Sequence, residues 1–258
     1  MSSPTAASDT NTGPSVIVTG GTRGIGRGIV TSFHEAGYRV LVCARSEPAA
    51  PLRDGEREAL FMTCDVRDPD QVAAVVTRAR DEFGCLDVLI NNAGGTPVTD
   101  VTTASPRFHR SIVELNMLAP LTFSIAANRV MQEQPQGGSI VFISSVAAKF
   151  PEVEAVSYAA AKAGLDAMSV GLAKALAPKV RVNTVTVGLV ATPDAAQFYT
   201  DDAEANVASH IPMGRMGTPA DVAGACLLLC DARAAFITGA NLACHGGRQV
   251  PWVLGSDD

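Results

Sequence analysis

The sequence is short of several residue types, and each shortage excludes a class of protein. Only 18% of the 258 residues are charged, whereas 47% are hydrophobic, so the chain can pack a core and is not globally disordered. There is no run of basic residues, and the formal net charge is −6, which argues against a surface that follows nucleic-acid phosphates. The length fits one α/β domain or two small ones.

Membrane and export signals are missing as well. No apolar run is long and uninterrupted enough to span a bilayer, so we expect no membrane partner. Residues 1–14 lack the basic and apolar parts of a secretory signal and are predicted to form a flexible tail. The sequence therefore predicts a cytoplasmic protein.

The six cysteines form no CxxC pair, and most of them lie in apolar runs. They are expected to be small buried hydrophobic side chains in a reducing compartment. Cys226 and Cys230 share a helix face, but no histidine lies close to them in sequence. We therefore expect no metal site.

From Ser15 onward, short apolar runs alternate with longer segments of helical spacing. Such alternation is typical of parallel strands joined through helices. We predict one doubly wound (Rossmann) domain over residues 15–258, with a seven-stranded parallel sheet flanked by helices. The predicted strands are SVIVTG, YRVLVCA, ALFMTCD, LDVLINNAG, GSIVFISS, VRVNTVTVG and GANLACHGG.

Two segments depart from regular patterns. The stretch RSEPAAPLRDGERE holds two prolines and a glycine and is predicted to form a short or broken helix. The long helix predicted from Ser105 is expected to bend near Pro120.

A glycine cluster, VTGGTRGIGRGIV, joins the first predicted strand to the first helix. Gly20, Gly24 and Gly26 fall where the chain turns and the helix begins. Without side chains in the way, the free N–H groups and the positive end of the helix dipole can bind a pyrophosphate. Turns also use glycine, so this cluster gains weight from its position between strand and helix.

Tyr158 and Lys162, in VSYAAAKAG, lie four residues apart and so share one face of a predicted helix. A free phenol has a pKa of about 10. A neighbouring ammonium favours the phenolate, so we expect Lys162 to lower the pKa of Tyr158 and make it a useful acid–base group.

The ordered set TGxxxGxG, NNAG at 91–94 and Tyr158/Lys162 resembles the short-chain dehydrogenase/reductase family over nearly the whole chain. The resemblance implies a dehydrogenase or reductase that binds a nicotinamide dinucleotide. It implies cofactor contacts at Gly20, Thr22, Arg23, Gly24, Ile25, Gly26, Arg45, Asp65, Val66, Asn91, Asn92, Ala93, Gly94, Tyr158, Lys162, Gly188, Val190 and Thr192. Gly188 here follows Val187, where family members usually have proline.

The second strand ends in Ala44 and Arg45, whereas family members that prefer NAD carry an acidic residue there. Arg45 and Arg23 suit a 2′-phosphate, and we expect no carboxylate to repel it. NADP(H) is therefore expected over NAD(H), unless both arginines are solvated surface charges.

The resemblance also implies a catalytic set of Asn116, Ser145, Tyr158 and Lys162. Ser145 is chosen over Ser144 by its spacing to Tyr158. In the implied reduction Tyr158 protonates the oxygen of a ketone, Ser145 orients that oxygen, and Lys162 and Asn116 with water resupply the proton.

Residues 189–213 are expected to form a substrate lid, with Phe198, Tyr199, Ile211, Met213, Met216 and Phe150 facing an apolar substrate or packing in the core. A small 3-oxoacyl thioester is the expected substrate; a hydroxysteroid or another secondary alcohol is the alternative. A sensor that binds NADP(H) without chemistry, or a sugar-nucleotide epimerase, fits less well. The apolar tail around Trp252 is expected to pack across subunits of a homo-oligomer, a tetramer or a dimer.

Overall fold

The computed structural model describes residues 13–54, 57–193 and 206–248. Its strands are β1 (Ser15–Thr19), β2 (Arg39–Ala44), β3 (Arg53–Asp54), β4 (Arg57–Glu58), β5 (Leu60–Thr63), β6 (Val88–Asn91), β7 (Gly138–Ser145), β8 (Val180–Val187) and β9 (Asn241–Cys244). Its α-helices are α1 (Gly24–Glu35), α2 (Pro69–Phe83), α3 (Pro106–Val113), α4 (Ala119–Glu133), α5 (Val156–Leu176) and α6 (Pro219–Cys230).

Seven of the strands form one parallel sheet in the order β5-β2-β1-β6-β7-β8-β9. The predicted fold class, a doubly wound sheet of seven strands flanked by helices, is confirmed. Because the strand order reverses between β1 and β6, the loops that follow these strands diverge and leave a crevice at the carboxyl edge of the sheet.

The two faces of the sheet are buried in two apolar layers. Alternate strand residues such as Ile140 and Phe142 pack with α2, α4 and α5, whereas their neighbours Val141 and Ile143 pack with α1 and α6. Burial on both faces explains why these strands read as continuous apolar runs.

The segment after β2 corrects one expectation. In place of a short or broken helix, β3 and β4 form a small antiparallel hairpin that pairs Arg53 with Glu58. Leu52 is buried in the α1–α6 layer, and the Ala59 N–H donates to the Leu52 carbonyl at 2.9 Å. Pro48 and Pro51 fix extended backbone, so a turn forms where a helix would have lost hydrogen bonds.

The long helix predicted from Ser105 is divided by a π-helical turn at Glu114–Leu118, so the irregularity lies just before Pro120. Proline has no N–H, and the Asn116 carbonyl therefore cannot receive the usual bond from the residue four positions later. π-helical turns inside α-helices are frequent at functional sites.

Several expectations concern residues outside the described ranges. These are the tail before Gly13, Phe198 and Tyr199 of the expected lid, and the segment around Trp252. Gly13 and Pro14, counted in the expected tail, are bound to β2, since their carbonyls accept hydrogen bonds from Arg39 at 2.9 and 2.8 Å. Among the helices of the described ranges, none is long and apolar enough to cross a bilayer.

Candidate active site

A cavity of about 730 Å³ runs along the carboxyl edge of the sheet, from the end of β5 across β1 to the ends of β7 and β8. Most of the sequence-predicted site residues line it, from elements far apart in the chain. They are Gly20, Thr22, Arg23, Gly24, Ile25, Gly26, Arg45, Asp65, Val66, Asn92, Ala93, Gly94, Ser145, Tyr158, Lys162, Gly188 and Thr192.

The glycine loop forms the central wall of the cavity as bare backbone. A Cβ on Gly26 would lie 2.2 Å from the Gly20 carbonyl oxygen, so only glycine fits at that position. The Asn92 amide donates to the Gly20 carbonyl at 3.2 Å, and the hydroxyl of Thr19 accepts the N–H groups of Asn92 and Ala93 at 3.0 and 2.9 Å. The glycines at 20, 24 and 26 let the backbone beside the start of α1 be approached closely, which fits a dinucleotide pyrophosphate.

Thr19 was not singled out from the sequence, although it joins the glycine loop to the NNAG turn. Its only sequence signal is its place directly before Gly20 at the end of the first strand.

Charged groups of both signs occupy the end of the cavity beside β2 and β5. Arg45 lines this end and Arg23 lines the cavity from the glycine loop, as expected, but the acidic residue Glu47 is in the lining too, so the expectation of no acidic residue nearby is wrong. Arg67, also missed from the sequence, binds Asp65 through two hydrogen bonds of 2.9 and 2.6 Å. That pair lowers the pKa of Asp65 to about 2.

Lys162 is buried at the opposite end of the cavity, on the first turns of α5. Its ammonium donates a 2.7 Å hydrogen bond to the Ile143 carbonyl of β7, and only 4% of the surface of the residue is exposed. Burial lowers its pKa from 10.5 to about 8, and the carboxylate of Asp166 opposes that shift. The protein thus holds a desolvated cation where β7 ends.

Tyr158 lies one helical turn before Lys162, whose ammonium is 5.6 Å from the centre of the phenol ring. Burial raises the pKa of Tyr158, and the nearby hydroxyl of Ser145 lowers it in part. The expected lowering of the Tyr158 pKa by Lys162 is not found in the protein alone, where desolvation of the phenol has the largest effect and Ser145 is the group that opposes it. Ser145 ends β7 beside Tyr158, whereas Ser144 faces Asp166 in α5.

Asn116 lies behind the cavity wall in the π-helical turn. It is fully buried; its side-chain oxygen accepts from the Gly95 N–H at 2.8 Å, and its amide donates to the Gly95 carbonyl at 2.9 Å. A Cβ on Gly94 would lie 2.7 Å from the Asn116 oxygen and 3.4 Å from the Lys162 ammonium. Asn116 and Lys162 therefore flank the same piece of backbone.

Some expected contacts do not face the cavity. The Asn91 side chain points away and donates to Ser124 at 3.1 Å. Val190 is not among the lining residues; it pairs with Gly217 in an isolated parallel bridge. That bridge uses the amides of Ala191 and Gly217 and leaves the backbone groups of Val190 directed to the other side.

The described parts of the expected lid, 189–193 and 206–213, pack against each other and their neighbours. Ile211 and Met216 are buried with Val207 against Leu189, so they are core residues here, whereas Met213 and Phe150 are exposed. Gly188 is required for packing, because a Cβ there would lie 2.6 Å from the Cβ of His245.

A phosphate-binding glycine loop and a phenol–ammonium–hydroxyl group at one edge of a parallel sheet define a dinucleotide-dependent oxidoreductase of the Rossmann type. Residues 20–249 match the family model described as Enoyl-(Acyl carrier protein) reductase. The chain belongs to the short-chain dehydrogenase/reductase family, whose members oxidise alcohols or reduce ketones.

Its similarity to other members of the family extends over almost the full length. It is 35% identical to a ketoacyl reductase of the granaticin polyketide synthase from Streptomyces violaceoruber, over 95% of this chain and 99% of that protein. It is 36% identical to L-fucose dehydrogenase from Bos taurus, over 92% and 90%. A solved actinorhodin polyketide ketoreductase with NADPH superposes with a TM-score of 0.84 at 30% identity, over 92% and 97%.

The buried charge of Lys162 predicts a gain in stability when it is removed. The unfolded lysine keeps its proton up to about pH 10.5 and the folded one up to about pH 8, so protonated Lys162 disfavours the folded state below pH 8. Lys162→Met should raise the free energy of unfolding of the cofactor-free protein by about 1–3 kcal/mol at pH 7, after the lost bond to Ile143 is counted. Urea unfolding measures it.

The stability gain from Lys162→Met should shrink as the pH rises from 8 toward 10.5, because above that range the wild-type lysine has lost its proton in both the folded and the unfolded state. Lys174→Met, at an exposed position on the same helix, is the control and should change stability little. A Lys162→Met variant less stable than wild type at pH 7 would contradict the burial argument.

Proposed function

We propose that the protein is an NADP(H)-dependent reductase that converts a ketone to a secondary alcohol, with a 3-oxoacyl thioester as substrate. The observation that carries the proposal is one cavity lined by Ser145, Tyr158 and Lys162 at one end, by Arg45 at the other, and by the glycine loop with Arg23 between them. When bound, the reduced nicotinamide supplies the hydride.

In this proposal the residues of the chain supply the proton and hold the oxygen. Tyr158 gives its proton to the oxygen that develops on the substrate, and Ser145 donates a hydrogen bond to the same oxygen. Lys162 stabilises the phenolate that Tyr158 becomes and binds the cofactor ribose. In the proposal Asn116 holds a water that returns the proton through Lys162.

Replacing the phenol tests the assignment directly. Tyr158→Phe should lower kcat for ketone reduction by about 10²–10⁴-fold, the contribution of a positioned proton donor, while NADPH binding stays within about threefold. The measurement is loss of NADPH absorbance with a panel of ketones and 3-oxoacyl thioesters, beside NADPH fluorescence titration. Tyr38→Phe, on a phenol outside the cavity, is the control. Undiminished turnover in Tyr158→Phe would refute the role.

The preference for NADP(H) is supported by two arginines and an alanine. Ala44 ends β2 where an acidic residue would bind the ribose hydroxyls of NAD, Arg45 lines this part of the cavity, and Arg23 lines the cavity from the glycine loop. Glu47 lines the same part and opposes a phosphate. A guanidinium can bind a phosphate through two parallel hydrogen bonds, so the arginines prevail in the proposal.

Arg45→Ala should lower kcat/KM with NADPH by about ten- to a hundredfold, the effect of one lost hydrogen bond to a charged group, and change the value with NADH less than threefold. Glu47→Gln should move the preference the other way, toward NADPH. Arg78→Ala, in an exposed ion pair on α2, is the matched control. Equal losses with both cofactors would mean that Arg45 does not contact the 2′-phosphate.

The substrate proposal is supported by similarity to the granaticin ketoacyl reductase. Similarity to L-fucose dehydrogenase favours the alternative, oxidation of a secondary alcohol such as a sugar or hydroxysteroid. Two assays separate the alternatives: loss of NADPH absorbance with 3-oxoacyl thioesters, and gain of NADPH absorbance from NADP⁺ with sugars and hydroxysteroids. The proposal predicts a higher kcat/KM in the first assay.

A homo-oligomer in the cytoplasm completes the proposal. Leu118, Ile125, Val156 and Val170 are exposed apolar residues on or beside α4 and α5, and Phe236 is fully exposed beyond α6, so these surfaces are suited to contacts between copies. The six cysteines are free thiols, which supports a reducing compartment.

A further inference from the structure

Asp166 lies one helical turn beyond Lys162 on α5, whose sequence VSYAAAKAGLDAMSVGLAKAL holds no other acidic residue. Residues four apart on a helix are neighbours, with about 5–6 Å between their Cβ atoms. Tyr158, Lys162 and Asp166 therefore form one row along the face of α5 that packs on the sheet.

The same end of β7 holds both charged groups. The Lys162 ammonium is bonded to the carbonyl of Ile143, and the Asp166 carboxylate faces the hydroxyl of the next residue, Ser144. The amide of Asn241 approaches the carboxylate from β9, and Asn241 is itself fixed by a hydrogen bond with Thr186 of β8. The Asp166 carboxylate thus faces two strand residues, Ser144 and Asn241, one helical turn from the buried cation.

The carboxylate has no strong competing partner in the described part of the chain. One of its oxygens is buried and accepts no well-aligned hydrogen bond there, and the same holds for the Ser144 hydroxyl. The charged groups that act on Asp166 are Lys162 and Lys149, and Lys149 is exposed beyond β7. The faces of β7 and β8 toward α5 present hydroxyl and apolar side chains.

A buried ammonium needs a compensating charge to stay protonated. Burial lowers the pKa of Lys162, and Asp166 is the group that opposes this shift. Burial raises the pKa of Asp166, and the Ser144 hydroxyl and the Lys162 ammonium oppose that rise. Tyr158 can supply such a charge only as phenolate, after its proton has left.

We propose that Asp166 is a positioning residue for catalysis, which keeps Lys162 charged and held at the Ile143 carbonyl throughout turnover. The inference rests on the proposed function of Lys162. Asp166 touches neither substrate nor cofactor in this account, and it acts through Lys162 alone.

Asp166→Asn keeps the shape of the side chain and removes its charge. In this variant the pKa of Lys162 should fall. In a plot of kcat/KM for ketone reduction against pH, the alkaline limb should therefore move about one unit lower in pH. NADPH binding, which the charged Lys162 supports, should weaken by roughly tenfold at pH 9 and hardly at all at pH 6.5. Asp166→Glu should restore both, and Glu133→Gln, exposed on α4, should change neither.

A folded Asp166→Asn protein with the wild-type alkaline limb and wild-type NADPH binding at pH 9 would overturn the proposal. So would a loss that is the same at pH 6.5 and pH 9, because that pattern is typical of a structural defect. If Asp166→Asn fails to fold, Asp166→Ser, which also removes the charge, decides the question by the same NADPH titration. Full turnover by Tyr158→Phe would refute the proposed function instead, and the binding profile would still test Asp166.

Discussion

The arrangement of the candidate active site depends on one buried interaction, the 2.7 Å hydrogen bond from the Lys162 ammonium to the Ile143 carbonyl. A charge is costly inside a protein, and this one is held where α5 meets the end of β7, with its pKa lowered to about 8. The bond fixes the start of α5 against the sheet edge. Tyr158 and Ser145 are placed by the same contact, because one precedes Lys162 by a helical turn and the other follows Ile143 by two residues.

Around this cation the fold supplies backbone in place of side chains. Gly94 lies against both Asn116 and Lys162 with no room for a Cβ. Gly26 likewise lies too close to the Gly20 carbonyl for a Cβ to fit. The two approaches give the cavity a continuous wall of N–H groups and small residues, open enough for an extended dinucleotide. Ser145, Tyr158 and Lys162 lie at one end of the cavity, and Arg45 and Asp65 lie at the other. Proton transfer and recognition of the adenosine part of the cofactor are thereby separated.

Local sequence patterns were sufficient to predict much of the fold and of the candidate site. The strand and helix pattern, the glycine loop and the shared face of Tyr158 and Lys162 follow from periods of two and of 3.6 residues. What the sequence did not reveal depends on tertiary contacts. The hairpin after β2 is stabilised by Leu52, which is buried in the core layer that contains α1 and α6. The raised pKa of Tyr158 and the presence of Glu47 in the cavity likewise depend on burial and on a loop path that no local pattern encodes.

The most direct test of the central claim is an NMR titration of Lys162, followed through its side-chain carbon signals in the cofactor-free protein and assigned with Lys162→Met. The account predicts a midpoint near pH 8, as burial of the ammonium requires. A midpoint at the ordinary lysine value of about 10.4 would show a solvated ammonium and would contradict the account.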